Sequence, residues 1–477
     1  MERKNVVLSD GDMARQREFT EKIKDLHIQR GKAVHALVDT FGCQQNVADS
    51  QHIMGMLEAM GCDFVTEPAE ADIIVLNTCA IRDHAEKRVY GNLGALTHTK
   101  KANPEQIICL CGCMAQEPHV ADRIRRSYRH VDLVFGPHEL WRFPEFIHTL
   151  MTQKGRIFQI ADQAGSIAEG IPLVRQDKVK AWVSIMYGCN NFCSYCIVPH
   201  VRGRERSRPR EAIVREVREL VAAGYRDITL LGQNVNSYGR GLAEPCDFAT
   251  LVEELDAIPG DWWLRFMTSH PKDAGRRLID VMAAGRHIAP AFHLPLQSGN
   301  DRVLHAMNRH YDMARYMDTV RYMREKIPDL TLTSDIIVGF PGETEAEFED
   351  TLRALSDIRF DMIYSFIYSP RKGTPAAEME QVPEEVQKNR FARMLELQNG
   401  VSMEKNQPLV GKTLRVLCDG VSKSNADLWT GRTAGNKSVF FPGSSDTTPV
   451  GQFIPVRIER AAPFALYGKA ENPADIL

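Results

Sequence analysis

The sequence lacks any apolar run long enough to cross a membrane, and its charged N-terminal residues contain no hydrophobic stretch of the kind found in signal peptides. It also lacks an excess of either charge, because 59 lysines and arginines are set against 62 aspartates and glutamates, for a formal net charge of −3. This balance excludes a uniformly basic protein that coats a polyanion, so any contact with nucleic acid must depend on local basic patches. We therefore expect a cytoplasmic protein with no membrane partner.

Cysteine is the residue type that stands out. Eleven cysteines occur among 477 residues whose composition, 43% apolar and 25% charged, is that of an ordinary globular protein. A chain of this length is expected to form about three domains, at roughly 150 residues each. In a reducing compartment, cysteines are more typical of metal or cluster sites than of structural disulfides.

Three of the cysteines lie in one short stretch, Gly188–Cys196, with the sequence GCNNFCSYC. The preceding run, Lys180–Tyr187, is apolar and β-prone, so the cysteines are expected on the loop that leaves a strand. Such a loop can bring three thiolates to one cube of iron and sulfide and leave the fourth iron without a protein ligand. The alternatives are a structural zinc knuckle, which normally needs paired C-x2-C units and a fourth ligand, or cysteines buried in a core.

The same stretch resembles the signature of the radical S-adenosylmethionine (SAM) enzymes, C-x3-C-x-aromatic-C, with Tyr195 at the aromatic position. The resemblance implies that Cys189, Cys193 and Cys196 hold a 4Fe–4S cluster whose open iron binds the amino and carboxylate groups of SAM. It further implies that an electron from this cluster cleaves SAM to methionine and a 5′-deoxyadenosyl radical.

A second set of three cysteines follows separate candidate strands nearer the N-terminus. The candidate strands are Val34–Thr40, Asp72–Asn77, Gln106–Leu110 and Val131–Phe135, with helices such as Gln45–Met60 and Arg82–Thr97 between them. This alternation predicts a doubly wound, mostly parallel sheet that binds ligands at the carboxyl ends of its strands. Cys43, Cys79 and Cys113 each follow a strand, which predicts a second three-cysteine site at one edge of the sheet. We interpret Cys62, Cys109 and Cys111 as core residues, with Cys111 the strongest rival ligand.

The segments around these cysteines, TFGCQQN, NTCAIR and GCMAQE, resemble the N-terminal domain of the methylthiotransferases. The run CAIRDHAEKRVYGNLG is most similar to the branch of that family that modifies tRNA. The resemblance implies that Cys43, Cys79 and Cys113 are ligands of an auxiliary 4Fe–4S cluster.

Beyond the cysteine loop, six strand-like runs each precede a helical run, from KAWVSIMY to MIYSFIYS. This pattern predicts an open, partial TIM-type (β/α)6 barrel with its site at the carboxyl ends of the strands. By resemblance, Gln233 stands where many radical SAM enzymes have the Glu of a Gly-Gly-Glu motif that holds the SAM amino group. The further candidates for the SAM or substrate pocket are Tyr195, His293, Gln297, Asp335 and Gly339, the last in a glycine-rich turn that resembles the one passing the adenine.

Two regions are candidates for RNA binding. The first is the arginine run that contains Arg202, Arg204, Arg206 and Arg208, which suits phosphate or SAM carboxylate contacts, or alternatively forms a solvated loop paired with Glu205 and Glu211. The second is the C-terminal region, whose short strands and glycine turns predict a five-stranded barrel. It resembles the OB-like TRAM domain, where Arg432, Lys437, Trp429 and Phe440 would contact RNA or, alternatively, serve the barrel core.

The predicted architecture is an α/β multidomain chain. Its divisions are a charged, solvated extension (1–32), an N-terminal methylthiotransferase domain (33–152), a linker (153–179), a radical SAM domain (180–410) and a small all-β TRAM domain (411–477). The resemblance implies insertion of a methylthio group at C2 of N6-isopentenyladenosine-37 in tRNA, with two SAM molecules and with two clusters that face one cavity. It implies a tRNA anticodon stem-loop and a flavodoxin- or ferredoxin-type reductant as partners of a monomer.

Three alternatives remain open at this point. Within the family, the substrate would instead be tRNA threonylcarbamoyladenosine or an aspartate of ribosomal protein S12. Outside it, the chain would be a non-catalytic RNA-binding protein that uses its cysteines for an iron–sulfur or zinc site.

Overall fold

The computed structural model describes residues 7–80, 83–160, 166–443 and 449–471. Ile81 and Arg82, which belong to one of the family-like segments, lie outside the described residues. None of the described helices is long and apolar enough to span a membrane.

The first domain is a parallel sheet of six strands with helices packed on it. The helices are α1 (Asp10–Arg30), α2 (Gln44–Ala59), α3 (Asp83–Ala102), α4 (Pro118–Ser127) and α5 (Phe143–Thr152). The strands are β1 (Val34–Phe41), β2 (Cys62–Phe64), β3 (Ile73–Thr78), β4 (Ile107–Gly112), β5 (Leu133–Phe135) and β6 (Ile157–Gln159). They pair in the order β2-β1-β3-β4-β5-β6, which confirms the predicted doubly wound sheet. The order reverses between β1 and β3, and ligands bind at such a switch point.

The N-terminal segment differs from the predicted solvated extension. Ser9 caps α1 through a capping box, and the helix packs on α5 with Met13 and Ile23 buried. The prediction was wrong because two or three apolar side chains at helical spacing are enough to dock a helix when a partner face is present. Strand β6 likewise lies inside the predicted linker, where Ile157 pairs with Leu133 at the edge of the sheet.

The second domain is an open barrel of six parallel strands, with one separate antiparallel pair. The barrel strands are β7 (Lys180–Ser184), β10 (Asp227–Leu231), β11 (Trp263–Met267), β12 (Ala291–His293), β13 (Thr331–Val338) and β14 (Met362–Ile367), and the antiparallel pair is β8 (Met186–Tyr187) and β9 (Arg206–Ser207). Its helices are α6 (Val198–Val201), α7 (Arg210–Ala222), α8 (Phe248–Asp256), α9 (Arg276–Ala284), α10 (Asp301–Ala306), α11 (Met313–Lys326), α12 (Glu345–Ile358) and α13 (Glu384–Asn406).

The barrel consists of two parallel halves, β7-β10-β11 and β12-β13-β14. Backbone hydrogen bonds join the halves, because the Leu264 N–H donates to the carbonyl of His287 at 2.7 Å and the Ala289 N–H donates to that of Leu264 at 2.9 Å. The predicted partial (β/α)6 barrel is therefore confirmed, with β7 and β14 as its outer strands.

The third domain is a closed barrel of five short strands, as predicted. The strands are β15 (Thr413–Val421), β16 (Leu428–Thr433), β17 (Ser438–Pro442), β18 (Phe453–Ala462) and β19 (Ala465–Ala470), in the order β15-β16-β17-β19-β18. The domain packs on the amino ends of the second-domain strands: Trp263, the first residue of β11, meets Phe453 with ring centroids 4.7 Å apart. Arg265 pairs with Asp227 and donates to the carbonyl of Thr433 at 3.0 Å.

Candidate active site

The first cysteine set lies at the carboxyl edge of the first sheet. Cys43, Cys79 and Cys113 follow β1, β3 and β4 within two residues of each strand end. The loop that carries Cys43 passes very close to Cys79, because a Cβ added at Gly42 would lie 2.8 Å from the Cys79 Cβ. Only glycine permits this approach. Because β1 and β3 flank the switch point, the two cysteines stand at the crevice where such sheets bind ligands.

Hydrogen bonds and charge differ among these thiols. A hydrogen bond from Cys79 lowers the pKa of Cys43 to about 5, with help from the nearby Arg202 guanidinium. Burial raises the pKa of Cys113 to about 11, although Arg202 Nε donates to its sulfur at 3.0 Å. Arg202 is itself buried and pairs with Asp49 at 2.7 Å. A guanidinium from the second domain thus contacts a cysteine of the first.

The second cysteine set, Cys189, Cys193 and Cys196, lies on the loop that follows β8. The loop begins at Gly188, whose φ of +77° and position against the Arg204 carbonyl leave no room for a side chain. The Cys196 N–H donates to the Cys193 carbonyl at 2.9 Å, which closes a tight turn. Burial raises the pKa of Cys189 to about 12 and that of Cys196 higher still, and the neighbouring cysteines raise both further.

Both sets suit an iron–sulfur cluster by the chemistry of their donors. Each offers three thiols and places a buried guanidinium against one of them, since Arg309 Nη1 donates to Cys193 Sγ at 3.4 Å. Cluster thiolates carry negative charge, and hydrogen bonds to their sulfurs are a recognised feature of such sites. Among the described residues, no three cysteine, histidine or carboxylate side chains are close enough together to hold a single metal ion.

A cavity of about 1210 Å³ reaches the loop that carries Cys43 and the loop that carries Cys189, Cys193 and Cys196. From the first domain it is lined by Thr40, Phe41, Gly42 and Arg88, and from the cysteine loop of the second domain by Tyr195, Cys196 and Ile197. Its other walls are the carboxyl ends of β13 and β14 and the start of α13, including Gln297, Asp335, Ile337, Phe366, Tyr368, Gln387 and Phe391. The volume exceeds that of typical small-molecule pockets, about 300–1,000 Å³, so it can hold more than one ligand.

Several buried polar atoms near the carboxyl ends of the barrel strands have no hydrogen-bond partner. They are Gln233 Oε1 after β10, Ser269 Oγ and His270 Nε2 after β11, Gln297 Oε1 after β12, and Ser365 Oγ and Tyr368 Oη at the end of β14. A buried polar atom without a partner costs about 1–3 kcal/mol. Their concentration at one end of the barrel indicates that a polar ligand completes these bonds.

The predicted pocket residues occupy different positions at this end. Tyr195, Gln297 and Asp335 line the cavity. His293 is buried, with Nδ1 at 3.0 Å from Thr333 Oγ1 and Nε2 at 3.5 Å from Asp335 Oδ1, so it orients a carboxylate of the cavity wall.

Gly339 has a packing role in addition to any ligand contact. Helix α13 lies against it, since a Cβ at Gly339 would be 2.5 Å from Gln387 Cγ, and Gln387 Nε2 donates to its carbonyl at 3.2 Å. Its N–H donates to Glu343, which in turn pairs with Arg390 of α13 at 3.0 Å. The turn is therefore fixed to α13, and its predicted adenine contact stays a prediction.

The arginine run is largely internal, which corrects the predicted RNA contacts. Arg202 and Arg206 are buried, and Arg206 donates to the backbone carbonyls of Arg202 and Arg204. Arg208 pairs with Glu169 at 2.6 Å and with Glu216 at 2.9 Å. Only Arg204 of these four is exposed, over the ring of Phe192 at 4.2 Å. The alternative pairing is confirmed for one arginine of the run, since Arg210 pairs with Glu211 at 3.1 Å, whereas Glu205 pairs with Arg240 outside the run.

The predicted RNA contacts of the third domain are also partly internal and partly exposed. Lys437 pairs with Asp361 at 2.7 Å and so joins the domain to the barrel, and Trp429 is buried in the core, both contrary to RNA contact. Arg432 is partly exposed, with Asp419 at 3.7 Å. Phe440 is half-buried and stacks on Tyr467, with ring centroids 5.5 Å apart. The guanidinium of the exposed Arg460 lies over the Tyr467 ring, 3.6 Å from its centroid. Sequence reasoning missed this last arginine.

Arg309 is the other residue that the sequence did not reveal. It follows α10 by three residues, and its Nη2 donates to the carbonyl of Pro295 at 2.8 Å while Nη1 reaches Cys193. A single arginine in a polar run gives no signal of a contact made with a loop 116 residues away.

Three family models match the chain. The Radical SAM superfamily matches residues 183–355, the Uncharacterized protein family UPF0004 matches residues 35–136, and the TRAM domain matches residues 407–470. Their order along the chain agrees with the three domains of the structure.

Relatives named tRNA-2-methylthio-N(6)-dimethylallyladenosine synthase match nearly the whole chain. The one from Acetivibrio thermocellus is 48% identical over 98% of this chain and 98% of its own length, and the one from Alkaliphilus oremlandii is 47% identical with the same coverage. Among solved structures, the radical SAM methyltransferase TsrM from Kitasatospora setae has a TM-score of 0.53 at 14% identity, over 72% of this chain and 77% of that chain. At this identity the likeness concerns the fold alone.

Proposed function

The chain belongs to the tRNA-2-methylthio-N(6)-dimethylallyladenosine synthase family, and we infer that it inserts a methylthio group at C2 of N6-isopentenyladenosine-37 in tRNA. It is a radical SAM methylthiotransferase, and it uses SAM and an iron–sulfur cluster. An aromatic C–H bond offers no acidic proton to a general base, so the substitution needs radical chemistry.

The finer proposal is that two 4Fe–4S clusters serve one cavity. The radical SAM cluster would be held by Cys189, Cys193 and Cys196, and the auxiliary cluster by Cys43, Cys79 and Cys113. The observation that supports it is the cavity of about 1210 Å³, which is lined by Gly42, the residue before Cys43, and by Cys196. When bound, these groups supply a SAM-derived radical and a transferable sulfur, respectively.

The chain's own residues bind and orient the reactants. Gln233, Gln297 and Asp335 present polar groups at the carboxyl ends of the strands, where SAM would complete the bonds of the two unpaired amide oxygens. Apolar side chains such as Phe41, Ile337 and Phe366 line the same cavity and exclude water from it. The target base would turn out of the anticodon loop to enter the cavity.

The partners follow from this chemistry. Each SAM cleavage consumes one electron, so a flavodoxin- or ferredoxin-type reductant is required. We propose that the enzyme works as a monomer.

Anaerobic reconstitution tests the two-cluster proposal. Wild-type protein should bind about eight irons per chain, as two cubanes require, and should cleave SAM under reducing conditions. A Cys43→Ala/Cys79→Ala/Cys113→Ala variant should bind about four irons and still cleave SAM, and the corresponding variant of the other three cysteines should bind about four and not cleave it. Cys246→Ser is the matched control and should behave as wild type. If the Cys43→Ala/Cys79→Ala/Cys113→Ala variant retains eight irons, these cysteines are not the ligands of the auxiliary cluster. If the wild-type protein binds no iron, the alternative of an RNA-binding protein without catalysis is favoured.

Nucleoside analysis tests the substrate. Liquid chromatography–mass spectrometry of tRNA from a deletion strain should show loss of 2-methylthio-N6-isopentenyladenosine and gain of the unmodified precursor. Persistence of the product would reject the substrate. A loss of the methylthiolated threonylcarbamoyladenosine, or of the modified aspartate of ribosomal protein S12, would identify the alternative within the family.

A further inference from the structure

A second, smaller cavity lies between the first and second domains, beside the Cys113 edge of the sheet. Its volume is about 60 Å³, and polar side chains form much of its wall. His52 and His138 line it from the first domain, and Tyr187, Arg202 and Arg206 line it from the second. A polar cavity needs roughly 10–15 Å³ to hold one water, so this one has room for a small ion together with water.

Arg206 brings an uncompensated positive charge to this cavity. The residue is 8% exposed, and its Nη1 donates to two backbone carbonyls, at 3.4 and 3.1 Å. Its Nε has no hydrogen-bond partner, and no ion pair between Arg206 and a carboxylate is found among the described residues. A buried charge without a partner is strongly unfavourable, so an arginine in this position calls for a counter-charge.

The acidic groups nearby are already paired. The carboxylates that act on Tyr187 are Asp49, Glu169 and Glu216, of which the first pairs with Arg202 and the other two with Arg208. Asp49 also lines the cavity, but its carboxylate pairs with Arg202. Within the described parts of the chain, no carboxylate without a partner lines these walls.

His138 adds a second donor without a partner. It is 7% exposed, and its Nδ1 is buried with no hydrogen-bond partner. Burial, with the adjacent positive charges of Arg206 and Arg202, lowers the pKa of His138 to about 4, so the ring is neutral near pH 7. A neutral imidazole carries its one proton on either nitrogen, and Nδ1 is then able to donate. Arg206 and His138, each with one buried nitrogen that has no partner, thus line one small cavity, and the tautomer with the proton on Nδ1 makes His138 a second donor.

We propose that this cavity binds one small monovalent inorganic anion, held between Arg206 Nε and His138 Nδ1. The anion neutralises the buried guanidinium and satisfies both unpaired donors, which water would do only in part because it carries no charge. Because Arg202 lines the same cavity and donates to Cys113, the site is adjacent to the auxiliary cysteine set. The proposal rests on the described side chains and does not depend on the reaction.

Bromide is the probe for the test, because its anomalous scattering distinguishes it from water. Crystals of the cluster-loaded protein soaked in bromide should show an anomalous peak in the cavity, in contact with Arg206 and His138. The same soak of Arg206→Gln should show none. Arg204→Gln is the matched control, since it removes an exposed arginine two residues away, and it should keep the peak.

Thermal unfolding in solution distinguishes a site from binding at crystal concentration only. At constant ionic strength, replacing gluconate by bromide should raise the Tm of wild type and Arg204→Gln, and the rise should follow the logarithm of bromide concentration once the site is nearly full. The rise should disappear in Arg206→Gln and weaken in His138→Phe. If Arg206→Gln fails to fold, His138→Phe alone decides. The proposal would be overturned if wild-type crystals soaked in bromide held only water in the cavity, or if bromide raised the Tm of wild type and His138→Phe equally.

Discussion

At the scale of single residues, Arg202 connects the two cysteine sets. It lies six residues after Cys196, yet it donates to Cys113 and pairs with Asp49 in the first domain. The contact is buried, so it is screened little by solvent. The local field at one set therefore depends on a residue that belongs to the loop of the other.

The first prediction concerns this guanidinium. If Cys43, Cys79 and Cys113 hold the proposed auxiliary cluster, Arg202→Gln should make its reduction potential more negative, because a positive charge and a sulfur hydrogen bond are both lost. Potentiometric titration followed by electron paramagnetic resonance measures the shift. Arg202→Lys keeps the charge and should shift the potential less, and the exposed Arg204→Gln should not shift it. An unchanged potential in Arg202→Gln with full iron content would contradict the role.

The second prediction concerns the thiols of the cluster-free protein. The pKa of Cys43 is lowered to about 5, so its thiolate is fully formed at pH 7 and is lost only as the pH falls toward 5. Its alkylation rate should therefore be nearly constant from pH 7 to 8. For Cys246, burial raises the pKa, and its rate should increase about tenfold per pH unit below that pKa. Peptide mass spectrometry after timed iodoacetamide treatment measures both rates, and parallel pH profiles would refute the difference.

Single residues also show where sequence reasoning ends. The six cysteines could be grouped into two sets from the sequence because their spacing and their places after strands are local patterns, and their role as cluster ligands stays a prediction. Arg202 and Arg309 could not, because their sulfur contacts join residues 89 and 116 positions apart. The arginine run resembled a phosphate site for the same reason, since the sequence does not say which cations the fold will bury.

At the scale of elements, α1 shows how little sequence signal a docked helix needs. Its docking on α5 could not be predicted, because the buried stripe has only two apolar side chains, Met13 and Ile23, beside the polar Gln16 and His27. The four inner strands of the first sheet and the six strands of the barrel were predictable from their apolar runs. The two edge strands of the first sheet, β2 and β6, were not, since three residues at a sheet edge carry almost no periodicity.

The third prediction tests the docking of α1. Ile23 is fully buried, so Ile23→Ala should destabilise the first domain by about 2–5 kcal/mol. Glu21 is exposed on the same helix, and Glu21→Ala should change stability by no more than about 0.5 kcal/mol. Urea denaturation of both variants measures the difference. Equal stability of the two would mean that the helix contributes little to the folded state.

At the scale of the whole molecule, the third domain is joined to the barrel by buried charge. Arg265 is 8% exposed, pairs with Asp227 at the start of β10 and donates to the backbone of Thr433 and Ala434. Lys437 pairs with Asp361 just before β14. These contacts form only when the barrel and the third domain are both folded and docked, so they stabilise the interface between the two domains.

The fourth prediction tests this interface. Arg265→Met leaves Asp227 buried without its partner and should cost about 3–5 kcal/mol. Hydrogen exchange should accelerate in β16 and in the turn after it. Arg415→Gln removes a partly exposed pair with Asp261, and it should cost at most about 1 kcal/mol. Unchanged exchange in Arg265→Met would show that other contacts hold the domains.

The placement of the third domain has a consequence for substrate length. The cavity is lined by Asp335 of β13, and the five-stranded domain meets the same strand at its first residue, Thr331, against which Gly435 lies. Four residues separate Thr331 from Asp335, or about 13 Å at 3.3 Å per residue. An RNA that contacts both the cavity and the five-stranded domain must therefore extend beyond its target nucleoside, and a shortened hairpin should dissociate sooner than an intact tRNA.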